Sequence, residues 1–227
     1  MKKIAYLIAG CLFLYSCSNS SSTKTEEAQE TVAKENSTTQ PEEKQVTEIL
    51  NPNLASVSDM YTLGILDPEI QDITKGRPYL DPLNYLEQLK QIVGASKFEE
   101  VKAKMFLPIN LNTTNESDFK LIPRVGDKMA HEFEEYRPYT SIEQFRREIG
   151  KYVSGEQVAE YENYVFVPVN LNTASKEEIL AIPGVGERML HEFEEYRPYE
   201  SIEQFRREIG KYVDDDELAR LERYVTL

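Results

Sequence analysis

Cysteine, tryptophan and long apolar runs are scarce or missing from this 227-residue chain, and each shortage excludes something. The only two cysteines, Cys11 and Cys17, lie near the start, so the rest can build neither a disulfide nor a thiolate metal site. The longest apolar run, residues 4–15, is too short to span a bilayer and has the length of a signal-peptide core. Basic residues are outnumbered, 26 Lys and Arg against 40 Asp and Glu, for a net charge of −14. That balance weighs against a general nucleic-acid binder, which ordinarily presents a basic face that releases phosphate counterions. After Cys17 there is no constellation of nucleophile, metal ligands or convergent acid and base, so neither catalysis, nor a cofactor, nor a small-molecule substrate is expected. His131 and His191 stand among acids without the several ligands a metal needs. The run Asp214-Asp215-Asp216-Glu217 opens a helix, where negative charge complements the dipole, and is no calcium loop.

What is present begins with Lys2 and Lys3 ahead of the apolar run, which reads as an export signal over residues 1–16. The stretch Leu14-Tyr15-Ser16-Cys17 resembles a bacterial lipobox and implies lipidation of Cys17 as the new N-terminus. Ile8-Ala9-Gly10-Cys11 also fits, but cutting there would leave an apolar Leu12 to Tyr15 at the mature end. Cleavage before Cys17 leaves 24 basic against 40 acidic residues, a net charge of −16. Residues 17–48 are dominated by Ser, Thr, Glu, Gln and Lys, with no aromatic side chain, and cannot bury enough surface to fold. They read as a disordered tether with a reach on the order of 30 Å. The expected location is the cell envelope, outside the cytoplasm and held to a membrane by the N-terminal lipid.

From residue 49 the chain repeats. At an offset of 60, His131 to Val153 matches His191 to Val213 except at Thr140 and Glu200, and Ile109-Asn-Leu-Asn-Thr113 matches Val169-Asn-Leu-Asn-Thr173. A third, degenerate copy shows in Arg77-Pro78-Tyr79, Met105-Phe-Leu-Pro108 and Asn51-Pro52-Asn53, with one residue deleted between Ser56 and Arg77. Three units follow, 49–108, 109–168 and 169–227. Helix caps recur at matching places: Ser56 with Asp59, Asn115 with Asp118 and Ser175 with Glu178 for the first helix, and Asp81 with Asn84, Ser141 with Gln144 and Ser201 with Gln204 for the third. Apolar residues at helical spacing complete four short helices per unit, Pro138 and Pro198 end the second helix, and no strand pattern is visible. The predicted fold is all-α.

Between the first two helices of the last unit lies Ile182-Pro183-Gly184-Val185-Gly186-Glu187-Arg188. Two glycines flanking an aliphatic residue permit a tight turn that buries Val185 and leaves amides at the next helix open to an anion. With Asn170-Leu-Asn-Thr-Ala174 and Tyr196-Arg197, this unit resembles the paired helix-hairpin-helix domain of bacterial competence-type (ComEA-like) DNA receptors. The resemblance implies an all-helical, non-catalytic domain that grips double-stranded DNA by its backbone, without sequence preference. It implies contacts at Gly184, Val185, Gly186 and Arg188, a second hairpin at Gly210 and Lys211, and counterparts at Gly126 and Lys128 in the middle unit. In this chain the middle turn has Arg124 in place of the first glycine, and Leu63-Gly64-Ile65-Leu66-Asp67 has lost the motif. The second hairpins read Gly150-Lys151-Tyr152 and Gly210-Lys211-Tyr212 in place of the family's Gly-x-Gly. The unit charges are −2, −4 and −6, so the best hairpin sits in the most acidic unit.

A second resemblance, to an acidic lumenal extrinsic subunit of photosystem II, shares the fold without DNA binding, so fold alone does not choose a function. Two readings therefore stand: a tethered DNA-backbone binder, or an acidic protein-interaction or structural lipoprotein whose repeated Glu-Glu-Tyr-Arg-Pro-Tyr face meets an envelope protein.

Overall fold

A computed structural model describes residues 49–227; the export signal, Cys17 and the tether lie outside the described residues. The described chain is mainly helical. Its first four helices are α1 (Val57–Thr62), α2 (Asp67–Lys75), α3 (Pro82–Val93) and α4 (Ala95–Lys102). The next four are α5 (Glu116–Phe119), α6 (Asp127–Glu135), α7 (Ile142–Ile149) and α8 (Gly155–Glu162). The last are α9 (Lys176–Leu180), α10 (Glu187–Glu195), α11 (Ile202–Ile209) and α12 (Asp215–Glu222).

Short parallel pairs, absent from the sequence reading, join the start and end of each four-helix set. β1 (Ile109–Asn110) pairs with β2 (Val165–Phe166), and β3 (Val169–Asn170) with β4 (Val225–Thr226). Leu50 makes the corresponding single bridge with Met105. Two residues are too few to leave an alternating pattern. Partners are 56 positions apart in the two strand pairs and 55 apart in the bridge, so the first set is one residue shorter.

Caps fix the helix starts. Ser56, Ser175, Ser141, Ser201 and Asp81 each accept a bond from the amide three residues on. Asn115 makes no such bond, and α5 is correspondingly a single turn. Gln144 and Gln204 reach past the cap to the amides of Thr140 and Glu200.

A polar clasp recurs in all three sets. Asn53, Asn112 and Asn172 each exchange two bonds, at 2.7–2.9 Å, with the backbone N–H and C=O of Tyr79, Tyr139 and Tyr199. Two residues before each tyrosine, Arg77, Arg137 and Arg197 donate to carbonyls of the loop that leads to α1, α5 or α9. The Arg-Pro-Tyr motif thus stitches loop to loop and faces inward, Tyr79, Tyr139 and Tyr199 being buried. In the Glu-Glu-Tyr-Arg-Pro-Tyr run Glu135, Pro138, Glu195 and Pro198 are exposed, while Tyr136 and Tyr196 are partly open and their hydroxyls pair with those of Tyr152 and Tyr212 at 2.8 Å.

One apolar core, containing Phe106, Phe119, Phe133 and Phe145, runs through the first two sets. A separate core around Phe193, Phe205 and Leu221 serves the last. The last set also touches the first. Arg223 donates to the carbonyls of Leu80 at 2.8 Å and Pro108 at 2.6 Å, and Asn51 donates to the Tyr224 hydroxyl at 3.1 Å.

Candidate functional site

The turns that precede α2, α6 and α10 share one backbone shape. Gly64, Arg124 and Gly184, spaced by 60, have φ of 72°, 65° and 81°. The left-handed conformation of Gly184 is therefore kept where the glycine motif is lost, and Arg124 adopts it without glycine's freedom. In each turn the next residue is buried: Ile65, Val125 and Val185. The amides of Val125 and Val185 close the turn on the carbonyls of Ile122 and Ile182 at 3.2 and 3.0 Å.

The following amides differ among the turns. In the first, the Leu66 amide is taken by the Glu69 carboxylate at 2.7 Å, so an anion from the chain itself fills the seat. At the corresponding positions stand Met129 and Met189, which carry no charge. Among the described residues no carbonyl or side chain accepts from the amides of Gly126, Asp127 and Lys128, or of Gly186, Glu187 and Arg188. Each group opens a nine-residue helix whose dipole favours negative charge. Lys128 and Arg188 are exposed and, among the described residues, form no ion pair. Gly126 and Gly186 are the N-cap residues, with open space where a side chain would begin.

Gly210 and Lys211 belong to a different kind of turn, between α11 and α12. Gly210 has φ −59°, and the amides of Gly210, Lys211 and Tyr212 bond to the carbonyls of Arg206, Glu208 and Ile209. The Lys211 ammonium is held by the Glu208 carboxylate, which raises its pKa, and lies 5.1 Å from the centre of the Tyr196 ring. Lys151 is held likewise by Glu148. These second turns have spent both the amides and the cation that would meet a phosphate.

A substitution cluster distinguishes the two open turns. Arg124 donates to Glu160 at 2.7 Å and to Gln157 at 3.2 Å. In the last set the corresponding residues are Gly184, Arg220 and Glu217. Arg220, buried to 3% exposure, folds back from α12, donating to the Pro183 carbonyl at 2.5 Å and to both Glu217 oxygens at 2.6 Å. A Cβ on Gly184 would lie 2.9 Å from the Arg220 Nη2 and 3.2 Å from Leu54 of the first set. Gly184 is exposed on one side and closely walled on the other.

Sequence reasoning missed Arg223, because a single arginine near the end of the last repeat, with Asn163 at the matching place in the second, carries no motif. It also missed a cleft of about 480 Å³ where the second set joins the third, lined by Phe166, Val167, Pro168 and Val169 among others. Among the described residues no group of His, Asp or Glu is arranged to hold a metal ion, and no helix is long and apolar enough to cross a membrane. No protein-family model, curated protein or solved structure matches the chain.

Proposed function

We propose that this protein is a lipid-tethered, extracytoplasmic array of helix-hairpin-helix units that touches the backbone of double-stranded DNA weakly and without sequence preference. The observation that carries the reading is the pair of open amide groups at Gly126–Lys128 and Gly186–Arg188, each beside an unpaired exposed cation, where the first turn closes the same seat with Glu69. Amides converging at a helix N-terminus suit a phosphate oxygen, and such contacts position a duplex without reading its bases. The resemblance to competence-type DNA receptors supplies the ligand class. Gly210 and Lys211 are left out of the contact surface, so this is a two-point grip made by first turns of neighbouring units.

Few phosphates can be neutralised against the net charge of −16 that cleavage before Cys17 leaves, from 24 basic and 40 acidic residues, so affinity is low and salt-sensitive. Titration with a mixed-sequence duplex should show saturable binding at low salt that vanishes near physiological salt. Lys128→Ala combined with Arg188→Ala should flatten the log–log salt dependence by about two units, roughly 0.9 per phosphate contact. Gly186→Val should weaken binding and leave the fold intact, since nothing lies within 4 Å of its missing Cβ. No binding by folded protein at the lowest salt overturns the reading.

The second reading, an acidic protein-interaction lipoprotein, is favoured by a specific observation. Among the described residues most basic side chains are already spent, with Arg146, Arg206 and Arg220 on carboxylates and Arg77, Arg137, Arg197 and Arg223 on backbone carbonyls.

A further inference from the structure

The cleft between the second and third sets has an internal precedent for its occupant. At the junction one repeat earlier, the Arg223 guanidinium is seated against two backbone carbonyls, those of Leu80 and Pro108. Shifted by 60, those positions are Thr140 and Pro168, and both line the 480 Å³ cleft. Among the described residues no donor reaches the carbonyl of either, and Arg223 does not line this cleft. The chain uses an arginine from a third body to plug the first junction and leaves the second open.

The surroundings of the open junction fit the same chemistry. Its floor is apolar, and Phe166 and Tyr224 form a tilted pair with centroids 4.5 Å apart, corresponding to Phe106 and Tyr164 at the filled junction. Glu143, Glu162, Glu177 and Glu178 stand around it. Arg146 neutralises Glu162 and leans on Glu143, and Glu178 caps the Ser175 amide. The Glu143 and Glu177 carboxyls are held below the usual range by their own helix-start amides and the capping serines, so both stay charged in ordinary buffers. The four carboxylates outnumber the cations beside them, Arg146 on Glu162, Lys176 next to Glu177 and Arg223 over the Phe166 ring, so a cationic, apolar-flanked segment meets a complementary seat.

We propose that this cleft is a docking site for a partner protein that inserts an arginine flanked by an aromatic residue, as the Arg223-Tyr224 segment does at the other junction. The guanidinium donates to the Thr140 and Pro168 carbonyls, and the flanking ring covers the apolar floor. Arginine is required over lysine because a planar fork can serve two fixed carbonyls at once, which a point-like ammonium does less well. The cleft borders the last of those turns, since Ile182 and Pro183 line it, but it involves none of the open amides at Gly186–Arg188, so the proposal stands whether or not DNA is bound.

The test uses acetyl-Arg-Tyr-Val-amide, copied from residues 223–225, titrated into isotope-labelled protein and followed by amide NMR shifts. The expected result is saturable movement of signals from Ile142, Val167, Val169 and Ala181, at least about fivefold weaker with lysine or glutamine in place of arginine. Ala181→Trp fills the cleft from an exposed helix end and should abolish the response with an unchanged thermal melt. Glu143→Gln with Glu177→Gln should weaken binding about threefold to tenfold without unfolding, each exposed charge being worth little alone. Shifts that do not saturate, that map elsewhere, that are equal for the lysine peptide, or that persist in Ala181→Trp overturn the proposal.

Discussion

Arg124 and Gly184 occupy the same position in two nearly identical repeats, yet one is the largest cation and the other has no side chain. The structure explains the difference through neighbours on the fourth helix of each set. Where the turn carries arginine, α8 supplies Glu160 and Gln157; where it carries glycine, α12 supplies Arg220 and Glu217, and the guanidinium enters from the opposite side. The two clusters are alternative solutions with one arginine each, and mixing them fails. Gly184→Arg places a side chain at φ 81° with its Cβ 2.9 Å from Arg220, and should cost about 2–4 kcal/mol in urea denaturation from strain and like charge. Arg220→Glu alone buries a carboxylate beside Glu217 and should cost as much. Transplanting the whole cluster, Gly184→Arg with Glu217→Gln and Arg220→Glu, should recover at least about 1 kcal/mol of the summed loss, because residues in contact are not additive. A triple variant as unstable as the sum of the separate losses would show that the two clusters are unrelated.

The elements follow from signals that are short, local and repeated, which is why much of them was legible before any coordinates. Ser175 with Glu178 and Ser141 with Gln144 mark helix starts through bonds within a few residues, and the structure places caps there, while Pro138 and Pro198 follow the ends of α6 and α10. Asn115 looked equivalent and makes no cap bond, since the residue type permits the bond without compelling the rotamer. The shared turn was only partly legible: a glycine motif reports which residue is comfortable at positive φ, whereas Arg124 adopts the same φ under tertiary constraint. The partners of the clasp were invisible, because Asn172 and Tyr199 are 27 positions apart and nothing local in either announces the other. The clasp makes a direct prediction. Asn172→Ala leaves the N–H and C=O of Tyr199 without partners and should cost about 2–4 kcal/mol, and Asn112→Ala should cost a similar amount. The neighbouring exposed Thr173→Ala should change stability little. Equal effects at Asn172 and Thr173 in chemical denaturation would remove the clasp from the fold's supports.

At the scale of the whole molecule, near-identity of sequence does not give equivalence of environment. The second and third sets match at every position of 131–153 but one, yet the second shares its core with the first and the third has its own. What fastens the third set to the first is small and mostly polar: Arg223 on two carbonyls, Asn51 on the Tyr224 hydroxyl, and Leu54 against the Gly184 turn. Burial pulls the Arg223 pKa below the usual arginine value, and one of its terminal nitrogens is buried without a partner, so this guanidinium is held at a desolvation cost. Hydrogen bonds from a charged donor are each worth about 1.5–3 kcal/mol, and their loss falls on the contact between sets while both cores stay intact. Arg223→Met keeps an unbranched apolar side chain and removes the guanidinium, with its bonds to the two carbonyls and its place over the Phe166 and Tyr224 rings. The parent should protect amides of the Phe133 and Phe193 cores to comparable depth in native-state hydrogen exchange, because opening the third set must also break the contact with the first. In Arg223→Met the Phe193 core should exchange at a free energy about 2–4 kcal/mol lower, with the Phe133 core changed much less. Parallel loss of protection in both cores would mean that the sets are coupled through the β2–β3 joint, and that Arg223 merely fills a gap.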